Sequence, residues 1–461
     1  MQNERSIPRI IIAGSGGDAG KTIVSAGLTA CWRKKGLQVA PFKKGPDYID
    51  AAWLKAAGGI AARNLDTYIM GVDGVKRSFY RNSAQADICL IEGNRGLYDG
   101  FDVHGTHSTA ELAKILKTPV VLVINVTKVT RTAAAFVLGC QKMDTEVDIA
   151  GVIINQVSGS RHEKIIRDSI EQICGIPVLG AVPRLKGENL LPGRHLGLVT
   201  PEEHGGLEGL FDKIADLIEK YVDTGKILDF ARQAPVLDFD IDSRESKRLA
   251  GTVKIGYFSD SSFTFYYPDN LEALQAEGAV LIPISSLNDK SLPECGGLLI
   301  GGGFPETHAE ALSKNIPLLD SVIDFAAKRK PVYAECGGLI YLCRSLKIKD
   351  KIYQFAGVFP LDLEMMSNPQ GHGYSEVEVD RRNPYFPIGT ILRGHEFHYT
   401  RIISGSEDVN TAYSVLRGTG CFGGRDGLFS NNVLASYLHL HASGTPQWAE
   451  NFVNLILAKD I

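Results

Sequence analysis

The chain lacks the features that mark secreted, membrane-spanning and nucleic-acid-binding proteins. Its 461 residues include only eight cysteines, without a Cys-x-x-Cys pair or regular spacing, which argues against a disulfide framework and a structural zinc site. The longest apolar runs, such as PVVLVINV, are far shorter than the roughly 20 residues that cross a bilayer. The first residues carry no secretory signal, and a formal net charge of -4 leaves no basic stripe. We therefore expect a cytoplasmic protein that binds neither membranes nor nucleic acid.

The length of the chain predicts two domains, and the apolar pattern predicts their class. From Arg9 to about Arg184, strand-like runs such as DICLIEG alternate with helix-period segments such as HEKIIRDSIEQICG, which is typical of a parallel, doubly wound α/β sheet. Residues 223–252 are polar without sustained periodicity and predict an interdomain connection. The alternation then returns. We expect a first domain over 1–225, a linker over 226–252 and a second doubly wound α/β domain over 253–461.

The first candidate site is a glycine-rich loop between a strand and a helix. The strand IIIAG runs into SGGDAGKT at positions 15–22, the context that a phosphate-binding loop (P-loop) requires, with serine in place of the first glycine. Without Cβ atoms at Gly16, Gly17 and Gly20, backbone N–H groups can converge on a polyphosphate beside a positive helix N-terminus. We expect Lys21 to neutralise the β- and γ-phosphates of ATP and Thr22 to offer a hydroxyl to Mg²⁺.

Three acidic residues follow predicted strands in this half of the chain. Asp47 lies in PFKKGPDYID, and Glu92 ends the run DICLIEG, where open α/β sheets gather ligands. Together with Thr22 they are the candidate ligands for Mg²⁺. A simple turn role before a helix stays open for Asp47. Asp99, in GLYDG, belongs to the same loop system, and its role is open between metal, substrate and neither.

The second candidate site is built around one cysteine. Cys336 lies in PVYAECGGLIYL between a strand pattern and a helix pattern, with glycines that allow the sharp turn of a nucleophile elbow. A helix N-terminus beside the sulfur favours the thiolate. We expect Cys336 to be a nucleophile. Four other cysteines lie within apolar patterns and are expected to be core residues: Cys31, Cys89, Cys140 and Cys174.

A histidine late in the chain is the predicted base for Cys336. In the strand pattern NNVLASYLHLH, the leucines at 434, 438 and 440 alternate onto one face and leave His439 and His441 on the other. We expect His439 to take the thiol proton. His441 is open between an orienting neighbour and a structural residue.

A glycine turn supplies the third part of this site. Gly302 and Gly303 follow the strand pattern GGLLI and can aim backbone N–H groups at a tetrahedral oxyanion. The elbow cysteine, the late histidine and the glycine turn together predict a glutaminase, which attacks the amide of glutamine, forms a thioester and releases ammonia.

The segment GHEFH resembles the zinc-protease motif only superficially. One residue too few separates His395 from His398, so we expect no zinc there. A structural role and a substrate-facing role both remain open.

Several motifs in order resemble the cobyrinate a,c-diamide synthase family along nearly the whole chain: PFKKGPDYID, EGNRGLYDG, FTFYYPDN, GGGFPE, YAECGGLIYL, RGHEFHY and ASYLHLH. The resemblance implies a dethiobiotin-synthetase-like P-loop domain followed by a class I-type glutamine amidotransferase domain. It implies a glutamine-hydrolysing carbon-nitrogen ligase of cobalamin biosynthesis, which amidates the a and c acetates of cobyrinate through acyl phosphates. ATP and L-glutamine would be co-substrates, with Mg²⁺ as cofactor.

The resemblance also implies roles for individual residues. The nucleophile of the family corresponds to Cys336, its activating histidine to His439, and its metal-binding acids to Asp47 and Glu92. Tyr48 and Asp99 would lie near the acetate that is activated. Many related glutaminases have an acid where His441 stands, so the sequence does not identify the residue that orients His439. The implied partners are small molecules, and a homodimer is left open.

Three other interpretations compete with this one. Nickel sirohydrochlorin a,c-diamide synthase of coenzyme F430 biosynthesis has the same motifs and chemistry. Cobyric acid synthase is disfavoured, since its histidine segment usually reads Tyr-x-His-Gly. A partitioning or regulatory ATPase is also disfavoured, because such ATPases carry an extra lysine early in the loop and Gly14 to Gly17 contain none.

Overall fold

The structure, a computed structural model, describes residues 6–185, 191, 193–194, 197–201, 203–204, 207, 209–237 and 252–458. It divides into two units, Met1–Thr67 with Gly71–Asp242, and Tyr68–Met70 with Ser243–Ile461. Within the described ranges, no helix combines the length and apolar character needed to cross a membrane.

Parallel strands form the centre of the first unit. Its described strands are β1 (Arg9–Gly14), β2 (Val39–Lys44), β3 (Arg63–Leu65), β4 (Ile88–Glu92), β5 (Val120–Asn125), β6 (Ile149–Val157), β7 (Val178–Pro183), β8 (Gly193–Arg194) and β9 (Gly197–Leu198). Seven of these described strands form one sheet in the order β3-β2-β4-β1-β5-β6-β7, with parallel pairing throughout. All six residues of β1 are buried, as expected for a strand covered on both faces. The predicted α/β sheet is confirmed.

Helices connect these strands. They are α1 (Lys21–Lys34), α2 (Tyr48–Gly58), α3 (Gly71–Asn82), α4 (Thr109–Ile115), α5 (Thr132–Met143), α6 (Ser160–Cys174), α7 (Leu210–Tyr221) and α8 (Thr224–Arg232). Helices α1 and α7 approach closely at Gly27, where a Cβ would lie 2.3 Å from Cγ1 of Ile218. Of the four cysteines expected in the core, Cys31, Cys89 and Cys140 are buried and Cys174 is half-buried.

Helix α8 lies within residues 223–252, where the sequence predicted a connection without periodicity. Asp223 caps this helix by accepting a hydrogen bond from the N–H of Lys226 at 2.9 Å, and Ile227 and Ala231 bury one face in the core. Nine residues give too short a pattern to recognise a helical period. The later part of the predicted linker, 238–251, lies outside the described residues, and the boundaries at 225 and 253 stay predictions.

The second unit combines a parallel centre with antiparallel strands. Its described strands are β10 (Val253–Phe258), β11 (Ala279–Ile284), β12 (Gly297–Ile300), β13 (Val332–Glu335), β14 (Cys343–Ile348), β15 (Lys351–Gln354), β16 (Phe359–Met365), β17 (Gly371–Val379), β18 (Ile391–His398), β19 (Thr400–Ser404), β20 (Asn410–Arg417), β21 (Arg425–Ser430), β22 (Val433–Ser436) and β23 (His439–Leu440). Ten of those described strands form one sheet in the order β11-β10-β12-β13-β22-β21-β20-β17-β18-β23, and four form another in the order β15-β14-β16-β19.

The second unit also contains helices. They are α9 (Pro268–Ala276), α10 (Ala309–Lys314), α11 (Ile316–Ala327), α12 (Gly337–Leu342) and α13 (Gln447–Leu457), with 3-10 turns at Pro305–His308 and Ser406–Asp408. The parallel strands β11, β10, β12, β13 and β22 agree with the predicted α/β alternation. The strands between α12 and β22, which pair antiparallel except for β14 with β16, were not part of the prediction.

The predicted strand NNVLASYLHLH is broken in the middle. Strand β22 pairs with β13, whereas β23 pairs with β18, and Tyr437 and Leu438 lie between them. Leu434, Leu438 and Leu440 belong to one apolar cluster and Tyr437 to the other, as the alternation predicted. Because of this break, His439 pairs with β18 and not with β13.

Candidate active sites

The loop after β1 packs against Asn155 at Gly20 and has free space beside Gly16 and Gly17. Gly20 has a φ of 95°, and a Cβ there would lie 2.1 Å from Nδ2 of Asn155, which donates a hydrogen bond to the carbonyl of Ala19 at 2.9 Å. Beside Gly16 and Gly17, the described residues place no atom within 4 Å of an added Cβ, chain neighbours aside. The open side of the loop can therefore admit a phosphate group.

Lys21 begins α1 and reaches back over this loop. Its Nζ donates a hydrogen bond to the carbonyl of Gly16 at 2.7 Å, and its side chain is buried. Burial lowers the pKa of Lys21, and the neighbouring Lys43 lowers it further. The ammonium group of Lys21 therefore lies next to the loop, where it can contact a bound anion.

Glu92, the last residue of β4, accepts hydrogen bonds from side chains of α1 and β2. Its Oε1 accepts hydrogen bonds from Thr22 Oγ1 at 2.8 Å and from Lys43 Nζ at 3.1 Å. Lys43 also donates to Oδ2 of Asp50 at 2.6 Å. Burial and, to a lesser degree, Asp50 raise the pKa of Glu92 to about 7, against the opposing effect of Lys43. Its Oε2 is buried and has no hydrogen-bond partner among the described residues.

Asp47 caps helix α2. Its Oδ1 accepts hydrogen bonds from the N–H groups of Ile49 at 2.8 Å and Asp50 at 2.9 Å. Burial and the charge of Asp50 raise the pKa of Asp47 to about 6. The turn role that the sequence left open is present here. Tyr48 follows as the half-buried first residue of α2.

Asp99 contacts its own loop. Its Oδ2 accepts a hydrogen bond from the N–H of Gly96 at 2.8 Å, and the residue is exposed. This local contact orders the GLYDG segment around the carboxylate.

The oxygen atoms at Thr22 and Glu92 fit Mg²⁺. In the parts of the chain that the structure describes, no group of three or more His, Cys, Asp or Glu side chains is arranged to hold a metal ion. Mg²⁺ at a phosphate site needs only one or two carboxylates, because water and phosphate oxygens fill the other positions. A hydroxyl and a carboxylate in contact, with Oε2 of Glu92 lacking a partner in the described ranges, meet that requirement.

Cys336 lies at a sharp turn between β13 and α12. Its φ of 46° and ψ of -96° are unusual for a residue with a Cβ, and its N–H donates to the carbonyl of Ser436 at 2.8 Å. Gly338 allows the close approach that follows, since a Cβ there would lie 2.3 Å from the carbonyl oxygen of Ile300. These features form the elbow that the sequence predicted.

The surroundings of the Cys336 sulfur favour the protonated thiol. Burial raises the pKa of the thiol, and Glu306 and Glu335 add to this effect, while a hydrogen bond with the N–H of Gly337 opposes it. The Sγ donates to the carbonyl of Phe397 at 3.6 Å. These surroundings oppose the effect of the helix N-terminus, so formation of the thiolate depends on a base.

His439, in β23, lies against the glycine turn. A Cβ on Gly302 would lie 2.5 Å from Cε1 of the imidazole, and one on Gly337 would lie 3.1 Å from the N of Gly303. The structure thus brings together the turn, His439 and Gly337, the residue after Cys336. The ring of His395 is parallel to that of His439, with centroids 4.7 Å apart and 14° between the planes.

The other two histidines considered from the sequence have different surroundings. His441 Nε2 lies 4.0 Å from Oδ2 of Asp269, and its ring lies 4.7 Å from that of Tyr267. His398 donates from Nδ1 to the carbonyl of Thr400 at 3.0 Å.

Sequence reasoning missed three polar residues in these sites, Lys43, Asp50 and Glu335, and left the role of His395 open. Lys43 is a buried lysine at the end of the apolar strand β2, and Glu335 is a buried acid in the strand directly before the nucleophile. A charged residue inside an apolar strand pattern was the available signal, because such a residue needs a partner.

Two family models match the two halves of the chain. A family model described as a CobQ/CobB/MinD/ParA nucleotide binding domain matches residues 10–199, and one described as a CobB/CobQ-like glutamine amidotransferase domain matches residues 254–447. A solved structure described as a glutamine amidotransferase covers 44% of this chain and 99% of its own, with 16% identity and a TM-score of 0.33.

Two curated relatives match almost the full length. Cobyrinate a,c-diamide synthase of Archaeoglobus fulgidus is 42% identical over 455 residues, which is 98% of each chain. The protein of the same name from Magnetococcus marinus is 40% identical over 448 residues, or 96% of each chain. With the P-loop in one unit and the elbow cysteine in the other, these matches establish that the chain belongs to the cobyrinate a,c-diamide synthase family of glutamine-hydrolysing ligases.

Proposed function

We propose that the chain converts the a and c acetate carboxylates of cobyrinate into amides, in cobalamin biosynthesis, with ammonia from glutamine. The predicted domain 1–225 activates the carboxylate with ATP, and the predicted domain 253–461 hydrolyses glutamine. The observation that carries the proposal is that one chain holds both an open phosphate loop and an elbow cysteine that shares one glycine turn, Gly302–Gly303, with buried His439.

The glutaminase reaction begins at Cys336. His439 takes the thiol proton while the sulfur attacks the amide carbon of glutamine, and the carbonyl electrons move to the oxygen. The N–H groups of the Gly302–Gly303 turn stabilise that oxyanion. Collapse of the intermediate expels ammonia with the proton from His439 and leaves a thioester. Water, deprotonated by His439, hydrolyses the thioester to glutamate and restores the thiol.

The amidation reaction uses the P-loop. An acetate oxygen attacks the γ-phosphorus of ATP, which breaks the bond to ADP and forms an acyl phosphate. Ammonia attacks the acyl carbon, phosphate leaves, and the amide forms with release of a proton. Lys21 neutralises charge on the transferred group, and Tyr48 and Asp99 contact the acetate.

Thr22, Glu92 and Asp47 would hold Mg²⁺ in this reaction. The bound ion would neutralise charge on the phosphate oxygens of ATP. Lys43 forms ion pairs with Glu92 and Asp50, and their negative charges outweigh burial and raise the pKa of Lys43.

Mass spectrometry tests the substrate. The purified chain is incubated with ATP, Mg²⁺, glutamine and cobyrinate, with nickel sirohydrochlorin as a parallel substrate. Two amidations of cobyrinate alone are expected. Turnover of only the nickel compound would keep the chemistry and move the chain to coenzyme F430 biosynthesis.

The variant Cys336→Ala tests the division of labour. It should lose glutamine-dependent amidation and keep amidation with added ammonium, because the P-loop does not need the sulfur. Loss of both activities in a folded variant would contradict a dedicated glutaminase nucleophile.

A further inference from the structure

The carboxylate of Glu335 contacts two consecutive residues of β23. Its Oε1 accepts a hydrogen bond from the N–H of Leu440 at 3.1 Å, and its Oε2 lies 3.6 Å from Nδ1 of His439. All three residues are buried. One acid therefore holds both the backbone of β23 and the ring that projects from it.

We propose that Glu335 is the positioning residue of the glutaminase site, holding His439 with its Nδ1–H toward the carboxylate. The other ring nitrogen, Nε2, then carries the lone pair that receives the proton of Cys336. This inference rests on the proposed function and deepens it, because it supplies the acid that the sequence did not identify.

The distance between His439 Nδ1 and Glu335 Oε2 indicates the kind of interaction between the two side chains. At 3.6 Å the contact is longer than a hydrogen bond, so in the resting protein it is electrostatic. When His439 gains the thiol proton, the imidazolium and the carboxylate attract each other in a site shielded from water. Catalytic hydrogen bonds are often long without substrate and shorten when the reaction complex forms.

Two other groups limit rotation of the imidazole. The backbone of Gly302 lies against its Cε1 edge, and the ring of His395 covers one face. Burial and the proximity of His439 keep the pKa of His395 well below its usual range. This favours an uncharged His395 ring stacked on His439. Glu335 supplies the negative charge at Nδ1.

The pleat of β13 explains how neighbours in sequence take different roles. Successive side chains on a strand point to opposite faces, so Glu335 shares a face with Tyr333, while Ala334 lies on the other. The elbow then turns Cys336 away from the strand. The nucleophile and the acid behind the base thus come from consecutive positions. His441 lies beside Asp269 and Tyr267 instead.

The substitution Glu335→Gln separates the two contacts. The amide oxygen of glutamine can still accept from Leu440, but the negative charge is lost and the amide NH₂ would favour the wrong tautomer of His439. In the full chain with cobyrinate, ATP and Mg²⁺, we expect kcat for glutamine hydrolysis to fall at least about 100-fold, by analogy with the wrong-tautomer variant of a serine protease. KM for glutamine should change little, and ammonium-dependent amidation should stay at the wild-type rate.

Two further variants make the result specific. Glu335→Asp keeps the charge and should recover part of kcat. Glu310→Gln, in which an exposed acid paired with Lys314 is changed, should behave as wild type. Wild-type glutamine hydrolysis by Glu335→Gln would overturn the proposal. So would equal loss of glutamine- and ammonium-dependent amidation, which indicates a purely structural residue. The proposed function is tested apart from this one by Cys336→Ala, whose retention of glutamine-dependent turnover would refute it.

Discussion

The hydroxyl of Thr22 donates a hydrogen bond to Oε1 of Glu92 across 2.8 Å. This contact joins the first turn of α1 to the end of β4, two elements whose termini meet at the carboxyl edge of the parallel sheet. Because Lys43 donates to the same oxygen, Oε1 is occupied by protein donors, whereas Oε2 lacks a hydrogen-bond partner in the described part of the chain.

Removal of the Thr22 hydroxyl should weaken use of ATP. Thr22→Val keeps the shape but loses the donor to Glu92 and the proposed oxygen ligand, whereas Thr22→Ser keeps both. A hydrogen bond to a charged group contributes about 1.5–3 kcal/mol, so KM for Mg²⁺-ATP should rise roughly 10- to 100-fold in Thr22→Val. Steady-state amidation with ammonium measures this. A valine variant that matches the serine variant would contradict the role.

Two glycines of the same loop should respond differently to alanine. Gly20→Ala places a Cβ 2.1 Å from Asn155 at a φ of 95°, so it should lower the free energy of unfolding, by about 1 kcal/mol or more from the backbone alone. Gly17→Ala meets no described atom within 4 Å and should leave stability unchanged while blocking the approach of phosphate. Urea denaturation and ATP titration together separate the two effects. Equal destabilisation by both variants would be inconsistent with this geometry.

The backbone at Cys336 should be strained. A residue with a Cβ at φ 46° and ψ -96° carries a cost of order 1–3 kcal/mol, from which glycine is exempt. We expect Cys336→Gly to be more stable than Cys336→Ala by about 1 kcal/mol in urea denaturation, although both lack the nucleophile. If the alanine variant is as stable as the glycine variant, the turn is not strained.

Acid should destabilise the second unit through His398. Burial lowers the pKa of His398 to about 4 from an ordinary value of 6.5, so the unfolded chain binds a proton that the folded chain excludes between these values. Stability is therefore fully present above pH 6.5 and is lost as pH falls toward 4, with an upper limit of about 3 kcal/mol from this group.

The matched variant is His398→Asn, whose amide can still donate to the carbonyl of Thr400 but does not titrate. Calorimetry at pH 7 and pH 4.5 should show a smaller acid-induced decrease in the variant. An identical decrease in both proteins would assign the acid sensitivity to other groups.

The sequence predicted the parts of each site that are local in the chain. The strand, the glycine loop, Lys21 and Thr22 follow one another, so their pattern specifies both the element and the chemistry. The same holds for Cys336 between β13 and α12. Helix α8 was missed because its nine residues are too few to show a clear helical period, although four of its side chains lie in or against the apolar cluster.

The residues that were missed depend on contacts between distant positions. Glu335 meets His439 only because the strand pattern 431–441 breaks at Tyr437 and pairs anew with β18. A uniform alternation of leucines cannot reveal such a change of partner. Lys43 likewise donates a hydrogen bond to Glu92, 49 positions away in the sequence, because β2 and β4 pair in parallel.

The broken strand has a mechanical consequence for the glutaminase centre. Strand β13 stands fourth and β18 ninth in the order of the ten described strands, yet both hydrogen-bond to the one segment 433–440. That segment therefore connects two strands that lie far apart in the strand order. The N–H of Cys336 also donates to the carbonyl of Ser436 in this segment, so the elbow and His439 both depend on it, and the centre is complete only when the last strands have paired.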